Sequence, residues 1–147
     1  MIMKHVKFFL MALICLMTSV ACNADDKMIP VEKLPAAAKD FVKQEFPGKK
    51  IIFAQVDRGL KKTYEVRLGD GTEIDFNKKG VWDKVDCKKT AVPNSLVPVA
   101  IQDYVKQNFA DALIVKIDKE RYGYDIELSN DLELKFNTSG QLIGMDD

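Results

Sequence analysis

PAAAKDFVKQEF at residues 35–46 returns as PVAIQDYVKQNF at residues 98–109, and seven of the twelve positions are identical. In each stretch the apolar residues recur every three or four positions, which gathers them on one side of an amphipathic helix. A proline opens each stretch, and proline is common at the first position of a helix. The two stretches therefore predict two equivalent helices in a duplicated chain.

A second pair of similar stretches follows the helices: YEVRLGDGTEIDFNKKG at residues 64–80 and YDIELSNDLELKFNTSG at residues 124–140. In both, apolar and polar residues alternate on either side of a turn, which is typical of a β-hairpin with one face in water. A further strand is expected before each hairpin, at residues 51–56 and 113–117, and another after it. Each copy is thus predicted to be one helix followed by four antiparallel strands.

One helix cannot cover both faces of a four-stranded sheet, so the two copies are expected to share a core. We predict an α+β fold: a single sheet of about eight strands, with both helices on one face and the other face open. The domain would span residues 28–147, with repeats at residues 28–87 and 92–147. Equivalent residues are 63 apart in the helices and 60 apart in the hairpins. The second copy is therefore expected to lack three residues where the first carries a basic loop at residues 58–62.

Residues 1–24 have the layout of a secretory signal peptide: a basic start, an apolar run at residues 8–20, and small residues before Asp25. The apolar run is short for a membrane span. Two alternatives stay open, namely cleavage after Ala24 and acylation of Cys22 in a loose lipoprotein signal. Both predict an exported periplasmic protein, which is soluble in the first case and lipid-anchored in the envelope in the second.

Export would remove Lys4 and Lys7 and leave 20 basic against 22 acidic side chains, a net charge near −2. Such a charge offers no global attraction to nucleic acid or to anionic lipid, so no nucleic-acid partner is expected, and membrane contact is expected only through an anchor at Cys22. The only histidine, His5, would be lost too, which argues against histidine-dependent catalysis or metal binding. We therefore predict a protein that is not an enzyme and has no cofactor. Cys87 would lack a disulfide partner and is expected to be a half-buried, unreactive thiol at a strand end.

LPAAAKDFVKQEFP, YEVRL, GDGTEIDFNKKGVW and the following VDC, in an exported chain of two such copies, resemble the PepSY-like, beta-lactamase-inhibitor-like periplasmic proteins of Bacteroidetes. The resemblance covers nearly all of residues 28–147. The second copy departs most, for example where Asp131 replaces Gly71. The resemblance implies a fold and an envelope location, and it supplies no catalytic residues.

The open face is the first candidate for a binding surface. If the apolar positions of the hairpins face the helices, Glu65 and Arg67 face outward, and alternation places Trp82 and Lys84 beside them. An exposed tryptophan among charges is typical of a binding hot spot, although Trp82 could instead close the core. With the loop lysines Lys61 and Lys62, these are the predicted partner-binding residues: Trp82, Arg67, Glu65, Lys84, Lys61 and Lys62.

The predicted function is an exported, non-enzymatic binding module that holds an envelope protein or peptide on the open face. Resemblance to PepSY domains suggests that a restrained peptidase is one such partner. The alternative is a calcium- or small-molecule-responsive sensor that uses the acids of the open face. Asp70, Glu73 and Asp75 around Gly71 are reminiscent of a calcium loop, but the ligand spacing of an EF-hand is missing, and a hairpin turn explains these residues.

Overall fold

The computed structural model describes residues 26–147, which contain two α-helices, two short 3-10 helices (Val31–Lys33 and Asn94–Leu96) and nine strands. The predicted signal peptide at residues 1–24 and the predicted acylation site Cys22 lie outside these residues. Within the described part, no helix is long and apolar enough to cross a membrane.

The strands form one antiparallel sheet in which every strand pairs with its neighbours in the sequence. They are β1 (Asp26–Met28), β2 (Ile51–Asp57), β3 (Thr63–Leu68), β4 (Glu73–Asn77), β5 (Trp82–Asp86), β6 (Ile114–Glu120), β7 (Gly123–Leu128), β8 (Glu133–Asn137) and β9 (Leu142–Asp146). The helices are α1 (Ala36–Glu45) and α2 (Val99–Asn108). The predicted α+β fold and its tandem repeat are therefore confirmed, with β1 as an additional strand.

β1 pairs with the edge of β2 that corresponds to the edge of β6 occupied by β5, and the two registers overlap at one position. Met28 of β1 lies opposite Gln55, and Lys84 of β5 lies opposite Asp118, the residue equivalent to Gln55 in the second copy. A three-residue strand is too short to show alternation, which is why the sequence did not predict it. Within the described residues β1 covers one edge of the repeat, while the outer edge of β9 has no partner strand.

Both helices pack on the same face of the sheet. Phe41 of α1 meets Phe76 edge-on with ring centres 5.6 Å apart, and Tyr104 of α2 meets Phe136 in the same way at 5.4 Å. Phe76 and Phe136 are completely buried, and the apolar residues that alternate with the charged ones on the strands join them in one core. Burying a side chain of this size contributes roughly 1.5–3 kcal/mol relative to exposure, so this face accounts for most of the stability.

The turn before the last strand of each copy touches the start of its helix. Gly80 has a positive φ of 80°, and a Cβ at this position would lie 2.8 Å from Pro35 Cβ and 2.9 Å from Ala38 N. Gly140 lies in the same way against α2, since a Cβ added to Gly140 would be 2.7 Å from Ala100 Cβ. Only glycine allows this close approach, which fixes where each helix begins on the sheet.

Candidate functional site

The candidate site is the face of the sheet opposite the helices, which we call the open face. Antiparallel pairing lines its side chains up in two rows across the sheet. The first row runs Gln55, Glu65, Asp75, Lys84, Asp118, Asp125, Lys135, Gly144. The second row runs Phe53, Arg67, Glu73, Asp86, Lys116, Glu127, Glu133, Asp146. Together the rows hold nine carboxylates and four basic side chains, so the open face is strongly acidic.

Arg67 organises the part of the open face that the first copy provides. Its Nη2 atom lies 3.0 Å from Glu73 Oε1 and 3.9 Å from Glu65 Oε1, and its guanidinium lies 5.4 Å from the centre of the Phe53 ring. Glu65 also accepts a hydrogen bond from the amide of Gln55 at 2.9 Å. Glu65 and Arg67 do lie on the open face as predicted, and they are already paired with each other and with their neighbours.

Lys88, just after β5, reaches back over the second row. Its Nζ atom donates to Glu73 Oε2 at 3.0 Å and to Asp86 Oδ2 at 2.8 Å. The hydrogen bond from Lys88 lowers the pKa of Glu73. Partial burial opposes ionisation of Asp86, yet the bonds from Lys88 still hold the pKa of Asp86 below its ordinary value. The carboxylates of this region are therefore compensated within the protein.

The centre of the open face is not compensated in the same way. Lys84 lies opposite Asp75 on one side and Asp118 on the other, but neither carboxylate forms an ion pair within 4.0 Å among the described residues. Burial raises the pKa of Asp75 to about 6; Lys84 opposes this rise, and the neighbouring acids Glu65 and Asp118 add to it. Burial likewise raises the pKa of Asp118. These two acids are held in an environment that disfavours their negative charge.

Like charges also face each other across the strands of the second copy. Asp118 lies opposite Asp125, and Glu133 lies opposite both Glu127 and Asp146. Residues Lys116, Asp118, Asp125, Glu127 and Glu133 line a shallow depression together with Ile126. The only basic contact inside it is Lys116 with Glu127 at 3.7 Å. Because like charges opposite each other destabilise a sheet, this depression would gain from a cationic ligand.

Trp82 lies on the helix-covered face, so the prediction that placed it on the open face beside Lys84 is wrong. A β-bulge in β5 sets Trp82 opposite Phe76 and Lys84 opposite Asp75, which leaves Asp83 as the extra residue. The Trp82 ring lies 6.3 Å from the Phe41 ring, and the Lys119 ammonium stands 3.6 Å from the ring centre. Trp82 therefore closes the core at the junction of the two copies, which was the alternative interpretation of this residue.

Lys61 and Lys62 lie in the loop between β2 and β3, at one end of the sheet, and not on the open face. Lys62 stands over the ring of Tyr64, with Nζ 5.3 Å from the ring centre. The six predicted partner-binding residues thus fall in three places: Glu65, Arg67 and Lys84 on the open face, Trp82 on the opposite face, and the two lysines at the sheet end. Partner binding by any of them remains a prediction.

Asp86, Lys88, Lys116 and Asp118 belong to the open face and were not predicted. Strand alternation could have placed them there. Lys84 and Asp86 are two residues apart in β5 and share a face, and the same holds for Lys116 and Asp118 in β6. The sequence does not reveal that β5 and β6 are neighbours, since a whole helix separates them along the chain.

The acids around Gly71 do not converge. Asp70 accepts a hydrogen bond from Thr72 N at 3.0 Å within the hairpin turn, whereas Glu73 and Asp75 point into different rows of the open face. Among residues 26–147, no group of three or more histidine, cysteine or acidic side chains is arranged to hold a metal ion. Cys87 is buried rather than half-buried, and desolvation raises the pKa of its thiol, which disfavours the reactive thiolate.

Comparison with protein families places this geometry in a known group. The model of the family described as "Putative beta-lactamase-inhibitor-like, PepSY-like" matches residues 20–68 and again residues 62–144. The chain belongs to this PepSY-like family. Together the two matches cover both copies of the repeat, and the second match begins just before β3 of the first copy. A search of curated proteins finds no significant match.

Three solved structures of Bacteroides proteins have the same fold. One, from Bacteroides thetaiotaomicron, is described as a "putative calcium-regulated periplasmic protein"; it is 43% identical, with a TM-score of 0.79 over 84% of this chain and 98% of that one. Two periplasmic proteins of Bacteroides vulgatus, one of them assigned to the family DUF2874, are 39% and 36% identical with TM-scores of 0.80. Their alignments cover 85% and 83% of this chain and 99% of each relative. All three are described as periplasmic, which supports the periplasmic location expected for this PepSY-like chain.

Proposed function

We propose that this PepSY-like protein is a non-enzymatic binding module of the cell envelope, whose open face holds a basic segment of a protein or peptide. The observation that carries the proposal is the imbalance of nine carboxylates to five basic side chains, Lys88 included, on a sheet face that no helix covers. An acidic surface of this kind attracts cationic partners and disfavours anionic ones.

Within the open face, the second copy is the better part of the site. In the first copy Arg67 and Lys88 engage every open-face carboxylate except Asp75. In the second copy Asp118 and Asp125 face each other without a basic partner within 4.0 Å. A lysine or arginine of the partner would relieve that repulsion without breaking an existing ion pair. The partner is thus expected to contact the depression between β6 and β8 first.

The first experiment measures binding of a fluorescent lysine-rich peptide by anisotropy. Asp118→Asn with Asp125→Asn should weaken binding by about tenfold or more, because charge pairs that form on association are worth at least about 1.4 kcal/mol in favourable cases. The matched control is Asp40→Asn with Asp103→Asn, which removes the same charge from equivalent exposed positions on α1 and α2. Equal affinity of both double variants would rule out the open face as the binding surface.

A second experiment identifies the natural partner in cells. A photoreactive amino acid at Glu127, on the open face, should form cross-links to an envelope protein, whereas the same amino acid at Asp103 should not. Cross-links at both positions, or only at Asp103, would contradict the proposal. Whether the partner is a peptidase that the module inhibits is then decided by adding the purified module to that enzyme and measuring its activity.

A calcium-responsive sensor is the second candidate. Two observations favour it. The relative that is 43% identical is described in terms of calcium regulation. Asp118 and Asp125 also lie opposite each other in the depression without an ion pair, although Asp125 accepts a hydrogen bond from the Tyr122 hydroxyl. Calcium takes six to eight oxygen ligands. The acids of this depression are not arranged to hold a metal ion by themselves, so any site would be completed by water or by a partner. Millimolar calcium should raise the melting temperature, and magnesium should have a smaller effect. An unchanged melting temperature in calcium would argue against this function.

A further inference from the structure

One end of the sheet concentrates positive charge that the overall composition conceals. Two adjoining grooves meet at Lys62: the first is also lined by Lys27, Lys33 and Arg58, and the second by Lys61, Lys78 and Lys79. Asp83 is the only acidic residue that lines either groove. We call this region the basic end. The two grooves are thus lined by seven positive side chains and one negative, while Asp26 and Asp57 lie at the same end of the sheet outside the grooves. This excess of positive charge contrasts with the nearly neutral total of the chain.

The charges of the basic end are available to a ligand. The ion pairs among the described residues use Lys49, Arg67, Lys88, Lys116 and Lys135, and none of these lies in the basic end. The second copy has no counterpart, because Thr138 and Ser139 stand where the first copy has Lys78 and Lys79. The shared fold therefore does not require the basic end. The first copy acquired it or the second copy lost it.

An apolar residue projects from the middle of this charge. Leu60 is fully exposed at the tip of the loop between β2 and β3, directly before Lys61 and Lys62. The loop has a defined shape, since Asp57 Oδ1 accepts a hydrogen bond from Gly59 N at 2.7 Å. Interfacial helices combine apolar and basic side chains at the boundary between lipid headgroups and acyl chains, and this loop combines the same two kinds of side chain.

The direction of the chain brings its start to the same end. β1 is antiparallel to β2, and Asp26 lies opposite Asp57, next to the loop that carries Leu60. The described chain therefore begins at the basic end. Cys22, the predicted acylation site, precedes Asp26 by four residues, a span of at most about 14 Å for an extended chain. An anchor at Cys22 would therefore hold the basic end close to the membrane.

We propose that the basic end docks on the surface of an anionic lipid bilayer, with Leu60 in the headgroup region and the lysines beside lipid phosphates. The proposal goes beyond the function proposed above because it uses a different surface and leaves the open face free. It also gives Lys61 and Lys62 a lipid partner in place of the protein partner that the sequence suggested. Three observations support the lipid surface as the partner: the positive charge of the basic end, the exposed Leu60, and the start of the described chain at this end.

The test uses residues 26–147 without any acyl chain. This part contains every described helix and strand, and the solved relatives, which align over 98–99% of their length, correspond to it and fold on their own. The protein is sedimented with phosphatidylcholine vesicles that contain or lack phosphatidylglycerol. Binding is expected only to the anionic vesicles and should decline as salt is added, because the attraction is screened over about 8–10 Å at physiological ionic strength.

Two matched pairs of variants locate the contact. Lys61→Gln with Lys62→Gln should lower partitioning about tenfold or more, since each lysine near an anionic surface contributes roughly a fivefold factor. Lys49→Gln with Lys50→Gln removes the same charge from the opposite end of β2 and should leave partitioning unchanged. Leu60→Ser should also weaken binding while leaving its salt dependence as in the wild type. Urea unfolding of each variant confirms that these surface changes leave the fold intact.

Several results would overturn the proposal. One is no preference for anionic vesicles, and another is an equal loss from the two lysine pairs. Binding of polyglutamate at the basic end without vesicle binding would show that the partner is an acidic protein, and full competition by soluble glycerol phosphate would show capture of a single headgroup. Asp118→Asn with Asp125→Asn should not reduce vesicle binding, so failure of this proposal can be distinguished from failure of the open-face function.

Discussion

Replacing Gly80 by alanine tests how the repeat positions its helix. Two costs add at this residue. Its φ of 80° lies in the left-handed region, where an L side chain costs about 1–2 kcal/mol. The new Cβ would also lie 2.9 Å from the backbone nitrogen of Ala38, so α1 as a whole would have to shift, and overpacking of this kind costs about 1–3 kcal/mol. The expected total is about 2–5 kcal/mol of lost unfolding free energy.

The matched control is Gly71→Ala, because Gly71 has a similar φ of 91° but nothing within 4 Å of the position of a Cβ. This control should lose only about 1–2 kcal/mol, the backbone cost alone. Urea unfolding followed by circular dichroism measures both variants, provided that the slope of the transition is unchanged. Equal losses in Gly80→Ala and Gly71→Ala would refute the idea that contact with the helix start requires glycine at residue 80.

Three further predictions concern single side chains. Burial raises the pKa of Asp75 to about 6 from an ordinary 3.8, so the folded state binds a proton more readily than the unfolded chain, and stability falls as the pH rises between these values. Asp75→Asn should therefore stabilise the protein by on the order of 1 kcal/mol at pH 7, after allowance for solvent screening, and by almost nothing near pH 4 in urea titrations; a constant difference would contradict this. Trp82→Ala should lower the unfolding free energy by about 2–4 kcal/mol, as expected for a side chain that packs in the core. A change below about 0.5 kcal/mol would show that Trp82 behaves as a surface residue. In residues 26–147 the thiol of Cys87 should react with a disulfide reagent only on unfolding, and fast labelling of the native protein would show that it is accessible.

The repeat allowed the fold to be predicted with few errors. Periodicities of 3.6 and 2 identified both helices and eight strands, and the three-residue offset placed the length difference in the loop between the first two strands of each copy. The structure has that difference, with five residues between β2 and β3 and two between β6 and β7. β1 escaped detection because its position depends on pairing with β2 and not on a pattern of its own.

The site was predicted less well for the same reason. The sequence assigned three residues to the correct face, Glu65, Arg67 and Lys84. Each of them alternates regularly with the buried apolar residues beside it in its strand. Trp82 was assigned to the wrong face because a bulge shifts the alternation by one residue, and a bulge arises from how two strands fit together. The row that joins Lys84 to Asp118 could not be predicted either, since it depends on the contact between the two copies.

β1 also lies at the edge where another copy of the repeat would pair. The seam between β5 and β6 shows that the last strand of one copy pairs with the first strand of the next, and β9 offers the same edge again. Without β1, the edge of β2 would accept β9 of another molecule, and such a head-to-tail contact does not close on itself. The molecule would then be one link in a growing filament. Asp26–Met28 covers this edge of β2 opposite residues 55–57 and so hinders such a contact there.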